Sequence, residues 1–180
     1  MNFFSNYFQN IHNACKSIDQ DFLEYAYEAI EKVQKNNSKI IIAGNGGSAA
    51  MASHVSVDFT KAANIRAINF NEADLITCFA NDFGYENWLS EAIKRYALDG
   101  DLLILISSSG TSKNIINAGH AAINLSLPFL TFSGFSPDNP LRKLGNANAW
   151  VNSNSYNIIE MTHHIWLLSI MDNYIEHKVS

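Results

Sequence analysis

Residues Ile40–Ala52 read Ile-Ile-Ile-Ala-Gly-Asn-Gly-Gly-Ser-Ala-Ala-Met-Ala. An apolar β-branched run is followed by glycines and then by small and apolar residues with good helix propensity, which predicts a buried strand, a tight turn and the start of a helix. Such a turn presents free backbone N–H groups and the Ser48 hydroxyl at the positive end of a helix dipole, where an anion binds well. The glycine spacing matches neither the Walker pattern nor G-x-G-x-x-G, so it supports neither class of nucleotide site.

A second stretch has the same organisation. Leu102–Ser109 reads Leu-Leu-Ile-Leu-Ile-Ser-Ser-Ser and runs through Gly110, Thr111 and Ser112 into an amphipathic segment. It predicts another buried strand that ends in a hydroxyl-rich turn before a helix. Turns that follow neighbouring parallel strands converge on one crevice.

The hydroxyl groups of this second turn favour a phosphate site, because they and the free helix N–H groups can hold a phosphate dianion. An ordinary helix cap, which needs only one hydroxyl, is the alternative. The candidate phosphate ligands are Ser107, Ser108, Ser109 and Ser112.

Strand and helix signals alternate along the rest of the chain. Apolar residues at helical spacing over residues 3–35 predict two helices or one long broken helix. The strands that follow are predicted at 39–43, 65–70, 102–106, 128–133 and 150–152, and the helices at 48–60, 71–81, 86–97, 112–124 and from about 156. Alternating strands and helices predict an α/β sandwich with a central parallel sheet. A length of 180 residues suits a single domain, 1–180.

Composition limits the partners. The net charge of −5, without any cluster of basic residues, argues against a nucleic-acid partner. The first residues lack a basic segment followed by an apolar one, and no window approaches the roughly 18 apolar residues of a membrane span, so we expect a cytoplasmic protein without membrane contact. Cys15 and Cys78 are expected to be reduced and structural.

The N-terminal stretch, residues 1–36, carries more aromatic residues than a small core needs, among them Phe3, Phe4 and Tyr7. A surplus apolar face favours packing between subunits, and packing on its own domain is the alternative.

Three motifs together resemble the sugar isomerase (SIS) domain family, and within it the phosphoheptose isomerase group. They are Gly44-Asn45-Gly46-Gly47-Ser48, Asn81-Asp82-Phe83-Gly84 and Ile106-Ser107-Ser108-Ser109-Gly110-Thr111-Ser112, and the similarity is clear over residues 38–135. The resemblance implies a flavodoxin-like three-layer sandwich with extra terminal helices, a homotetramer, and a phosphosugar substrate. It also implies that the four serines bind the phosphate and that Ser48 lies near the sugar. The remaining substrate-binding positions that it indicates are Asn45, Gly46, Gly47, Asn81 and Asp82.

His54 and Asp58 stand four residues apart on the predicted helix after the glycine turn, so they share one face. In an aldose–ketose isomerisation, a carboxylate can move the carbon-bound proton through an enediol while an imidazole serves the oxygens. The phosphoheptose isomerases resemble this chain at His54 but carry Glu where Asp58 stands. A plain surface pair of side chains is the alternative.

The C-terminal helix departs from the family pattern. Those enzymes usually have Gln before the Glu and His eight residues beyond that Gln, whereas this chain has Ile159 and Leu167. His163 lies on the same helical stripe, so we predict that it replaces the missing acid, with Glu160 and His164 as orienting neighbours. A histidine pair at a subunit interface or on the helix surface is the alternative.

No cofactor is required by these residues. A zinc ion could be held by His54 and Asp58 with His163 or His164, because imidazole and carboxylate groups together are suitable zinc ligands.

Two classes of function follow from the resemblance. The first is an isomerase that interconverts aldose and ketose phosphates, similar to sedoheptulose 7-phosphate isomerase and supplying lipopolysaccharide or capsule synthesis, or a relative that acts on another sugar phosphate. The second is a non-catalytic SIS protein that binds a phosphosugar or a protein partner. The serine-rich turn at residues 107–112, called the hydroxyl turn below, favours ligand binding. The His54/Asp58 pair favours catalysis.

Overall fold

The computed structural model describes residues 2–179, apart from the side chain of residue 179. Its elements are α1 (Phe3–Cys15), α2 (Gln20–Lys35), β1 (Ile40–Gly44), α3 (Gly47–Lys61), β2 (Ala67–Ile68), α4 (Ala73–Phe83), α5 (Trp88–Tyr96), β3 (Leu102–Ser107), α6 (Lys113–Asn124), β4 (Phe129–Ser133), a short 3-10 turn (Leu141–Lys143), β5 (Ala147–Trp150) and α7 (Tyr156–Val179). The described part of the chain contains no helix that is both long and apolar enough to cross a membrane.

The strands form one parallel sheet in the order β2-β1-β3-β4-β5. Gly44 at the end of β1 is level with Ile106 of β3, and Ser107 is level with Ser133 of β4. The turns after β1, β3 and β4 therefore open at one edge of the sheet, at the carboxyl ends of the strands, where α/β proteins bind their ligands.

Helices cover both faces of the sheet. Alternate residues of β1 point to opposite sides, because side chains alternate along a strand. Ile40 and Ile42 join a core formed with α2, α3 and α7, and Ile41 and Ala43 join a core formed with α5 and α6. The predicted three-layer α/β fold is confirmed.

Residues 3–35 form two helices, which is the first of the two predicted alternatives, and the second helix begins where Asp19 accepts a hydrogen bond from the Asp21 backbone N–H at 3.1 Å. Two strands differ from their predicted bounds. The strand predicted at 65–70 is shorter and lies at 67–68. The last strand lies at 147–150 and not at 150–152, since its bounds are set by pairing with β4 and not by the apolar residues around Trp150.

Candidate active site

Both predicted turns line one cavity of about 140 Å³ at the carboxyl edge of the sheet. The structure brings seven of the candidate residues from the sequence together there and adds two that were not predicted, Ile106 and Tyr156. The lining consists of Asn45, Ser48, Ile106, Ser107, Ser108, Ser109, Ser112, Tyr156 and Glu160. The lining does not include Gly46, Gly47, His54, Asp58 or His163.

The hydroxyl turn is closed tightly on itself. The Gly110 backbone N–H donates to the Ser107 carbonyl at 2.9 Å, and Ser107 Oγ donates to Ser112 Oγ at 3.1 Å. Ser112 is the residue that caps α6, yet its side chain makes no capping bond to that helix. The first N–H groups of α6 therefore remain available, which favours an anion site over the helix-cap alternative.

The glycine turn brings α3 close to α7. Gly46 has a φ of +55°, in the left-handed region that glycine adopts at little cost. At Gly47, a Cβ atom would overlap the Glu160 Oε2 atom, so a side chain at this position would displace that carboxylate. The Ser108 hydroxyl donates to Glu160 Oε1 at 3.4 Å. The carboxylate of Glu160 thus lies between the two turns.

Three titratable side chains form a hydrogen-bonded chain across α3 and α7. His54 Nε2 lies 3.1 Å from Asp58 Oδ2, and His54 Nδ1 lies 2.8 Å from His164 Nε2. Burial lowers the pKa of His164, the nearby His54 lowers it further, and Asp58 opposes the change. His164 is therefore mostly neutral at neutral pH, and a proton can move along the chain through His54.

His163 does not reach this chain. It is 0% exposed, and its Nε2 donates to the Ser133 carbonyl oxygen at 3.0 Å. Desolvation lowers the pKa of His163 to about 4. The stripe that it shares with Ile159 and Leu167 faces the core, because its other two members are apolar. The structure therefore corrects the predicted partnership: His164, and not His163, reaches across to His54.

The sequence contained a signal for this arrangement. Glu160 and His164 are polar residues spaced by four, so they share a helical stripe that faces α3. The family spacing indicated the neighbouring stripe, which contains Ile159 and Leu167. That stripe is apolar and packs in the core.

Asn81 and Asp82 are not among the residues that line the cavity. Both are exposed at the end of α4, where Asn81 Nδ2 donates to Asp82 Oδ1 at 2.9 Å. From this segment it is Tyr85 that extends to the site, with its hydroxyl 3.4 Å from Asn45 Oδ1.

The candidate zinc ligands do not converge on one point. The two ring nitrogens of His54 point in opposite directions, and each is engaged, one with Asp58 and the other with His164. Within residues 2–179, no group of three or more His, Cys, Asp and Glu side chains is arranged to hold a metal ion. The residues as arranged do not fit zinc, and the mechanism below uses none.

Comparison with known proteins shows the family to which the chain belongs. The model of the SIS domain matches residues 4–133, and the chain belongs to the SIS domain family. It is 32% identical over 167 residues to a phosphoheptose isomerase of Aliarcobacter butzleri (strain RM4018), an alignment that covers 88% of each protein. The family indicated by the sequence motifs is confirmed.

Solved structures support the same fold. A phosphoheptose isomerase from Francisella tularensis superposes with a TM-score of 0.87 at 20% identity, covering 97% of this chain and 95% of the other. A phosphoheptose isomerase from Neisseria gonorrhoeae gives 0.85 at 24% identity, covering 95% and 94%. At these identities the structural likeness establishes the architecture alone.

Proposed function

We propose that this protein is a phosphosugar isomerase that interconverts an aldose phosphate and a ketose phosphate. The observation that carries the proposal is that α3 and α7 contribute both to the cavity, through Ser48 and Glu160, and to the Asp58–His54–His164 chain. From Ser48 to His54 along α3 is about 9 Å, and from Glu160 to His164 along α7 about 6 Å, by the rise of a helix. This offset suits a substrate with its phosphate at one end and its carbonyl carbon at the other.

The phosphate end of the substrate is held by the hydroxyl turn. The hydroxyls of Ser107, Ser108, Ser109 and Ser112 turn from their partners within the site to donate to phosphate oxygens, and the uncapped start of α6 adds backbone N–H donors. Since no Lys or Arg lines this cavity among the described residues, the anion is bound by neutral donors and the helix dipole. Binding at this end orients the sugar chain towards His54.

The proton moves at the other end. Asp58 removes the proton from the carbon next to the carbonyl, while an acid donates a proton to the carbonyl oxygen, and the product is an enediol. Return of a proton to the neighbouring carbon, with loss of a proton from the other oxygen, completes the isomerisation without net proton uptake. His54 and His164 serve the two oxygens, with His164 in the role that the sequence assigned to His163.

The relatives suggest which sugar is used. They are named phosphoheptose isomerases, so sedoheptulose 7-phosphate is the substrate that we propose first. The product would supply lipopolysaccharide or capsule synthesis, and the enzyme would act in the cytoplasm. The non-catalytic alternative accounts for the phosphate cavity but gives no role to the Asp58–His54–His164 chain.

We also propose that the protein is a homo-oligomer, and by resemblance a tetramer, with α1 as an assembly element. None of the residues of α1 is buried in the isolated chain. Phe3, Phe4 and Phe8 are all exposed, and Phe4 retains 61% of its surface. Burial of these rings against another subunit removes apolar surface from water.

The test is an isomerisation assay with sedoheptulose 7-phosphate, and sedoheptulose without the phosphate is the control. We expect turnover of the phosphorylated sugar and at least a hundredfold lower kcat/KM for the free sugar, since the phosphate contacts position the substrate. Equal rates for the two sugars would contradict the role of the hydroxyl turn. Binding of several phosphosugars without turnover of any would favour the non-catalytic protein.

A further inference from the structure

A pair of asparagine side chains joins the two turns that form the cavity. Asn45 Nδ2 donates to Asn114 Oδ1 at 2.9 Å, and Asn114 Nδ2 donates back to Asn45 Oδ1 at 2.9 Å. Asn45 lies in the glycine turn and lines the cavity, whereas Asn114 is the second residue of α6, is 3% exposed and is not part of the lining. The pair therefore links the turn after β1 to the helix that follows the hydroxyl turn.

The hydrogen-bonding groups of Asn45 are used unequally. A primary amide has two N–H donors and one carbonyl acceptor. The carbonyl oxygen of Asn45 accepts from Asn114 and faces the Tyr85 hydroxyl at 3.4 Å. One N–H of Asn45 is used by Asn114, and the other has no partner among residues 2–179. That second N–H points away from the paired amide, because a reciprocal pair uses the donor on its own side. Asn45 therefore offers the cavity a donor.

The orientation of the Asn45 amide, with an N–H group free for the cavity, depends on Asn114. A half-turn of the Asn45 amide alone would set its N–H groups against the N–H groups of Asn114 and its oxygen against the other oxygen. Both contacts would then be repulsive, so the pair holds Asn45 in one of its two orientations. A half-turn of both amides together would keep the pair, but it would remove the oxygen that accepts from the Tyr85 hydroxyl at 3.4 Å. Asn114 is buried at the start of α6.

We propose that Asn114 is a positioning residue for the reaction, which fixes the amide of Asn45 as a hydrogen-bond donor to the substrate. The identity of that substrate as a phosphosugar rests on the proposed function. Without Asn114, the Asn45 amide keeps only the 3.4 Å contact from the Tyr85 hydroxyl, and the substrate must order it on binding. A donor that is ordered in advance binds and orients the substrate better than one that is not.

A double-mutant cycle tests this role. The variants are Asn45→Ala, Asn114→Ala and the double variant, and the readouts are kcat/KM for sedoheptulose 7-phosphate and its Kd by calorimetry. We expect each single change to lower kcat/KM and to weaken binding about tenfold, and the double variant to match Asn45→Ala alone, because Asn114 acts only through Asn45. Simple loss of structure would instead make the two effects multiply.

The matched control is Asn117→Ala, three residues further along α6. The Asn117 amide donates to the Glu86 carbonyl and to Asn87 Oδ1, away from the cavity, so its removal should leave kcat/KM within twofold of wild type. If Asn114→Ala fails to fold, Asn114→Asp replaces it in the cycle, since it keeps the acceptor for Asn45 Nδ2 and loses the donor to Asn45 Oδ1.

The inference is overturned if the change at Asn114 leaves both readouts at the wild-type value, or if its effect persists undiminished in the Asn45→Ala background. Should the wild type bind sedoheptulose 7-phosphate without isomerising it, the cycle is scored on Kd alone. Should that sugar not bind, the cycle is scored on the Kd for inorganic phosphate. The inference can therefore fail or stand independently of the proposed activity.

Discussion

At the residue scale, Glu160 and Gly47 depend on one another. Gly47 leaves the space that the Glu160 carboxylate occupies, and that carboxylate brings a negative charge to the cavity. Under the proposed function, the charge directs the phosphate to the side of the hydroxyl turn that lies away from Glu160.

Gly47→Ala is predicted to weaken phosphate binding without unfolding the protein. The new Cβ meets the end of a flexible side chain, so Glu160 moves towards the anion site while the backbone stays in place. We expect the Kd for inorganic phosphate to rise about tenfold, which is about 1.4 kcal/mol, and the melting temperature to stay unchanged. Calorimetry measures the first and thermal unfolding the second. Adding Glu160→Gln should restore most of the affinity, and an unaltered Kd in Gly47→Ala would contradict the argument.

His163 makes the stability of the fold depend on pH. The folded protein holds this imidazole neutral, with a pKa of about 4, whereas the unfolded chain has the ordinary value near 6.5. The unfolded state therefore binds more protons between these values, and the free energy of unfolding falls as the pH drops from 6.5 to 4. The loss from this group is about 3 kcal/mol, and it is complete below pH 4.

Urea unfolding of the wild type and of His163→Met over pH 4–8 measures this contribution. Met removes the titrating group, and the Ser133 carbonyl keeps the hydrogen bond from the Val151 N–H. The variant should lose less stability on acidification than the wild type does. The pKa of His164 is lowered too, and that contribution cancels because both proteins carry it. Parallel pH profiles would rule out the assignment to His163.

At the element scale, the sequence predicted those elements that have a strong hydrophobic pattern. The apolar runs of β1 and β3 predicted buried strands, and the glycine and serine residues after them predicted the two turns of the cavity. The position of β5 was not predictable in this way, because it depends on pairing with β4. Family spacing predicts the wrong face of α7, because the apolar side chains of Ile159 and Leu167 place their stripe in the core.

The proposed role of α1 in assembly gives a prediction of its own. The variant Phe4→Asp/Phe8→Asp places two charges on the exposed aromatic face and should reduce the size of the oligomer, as measured by light scattering at micromolar concentration. Leu98→Asp is the control, because Leu98 is equally exposed but lies in the segment between α5 and β3. A wild-type monomer would contradict the proposed assembly, as would an oligomer that survives both substitutions in α1.

At the scale of the whole molecule, the sheet brings distant segments of the chain to one edge. The turn after β1, the turn after β3 and the helix α7 are far apart in sequence and meet around a single cavity. Motifs identified most of the residues of that cavity, because each turn carries its own local signal. Contacts between elements, such as His54 with His164 and Asn45 with Asn114, carry no such signal and required the three-dimensional structure.

Proton transfer by Asp58 is tested most directly by the exchange of carbon-bound hydrogen with solvent. Sedoheptulose 7-phosphate is incubated in deuterated water with the wild type, with Asp58→Asn and with His120→Ala, which changes an exposed histidine of α6. Nuclear magnetic resonance then follows the hydrogens at C1. We expect deuterium at C1 with the wild type and with His120→Ala. With Asp58→Asn we expect a rate at least a hundredfold lower at similar substrate affinity, since a general base typically contributes about 10²–10⁴-fold. Exchange at the wild-type rate in Asp58→Asn would show that the Asp58–His54–His164 chain does not move the proton.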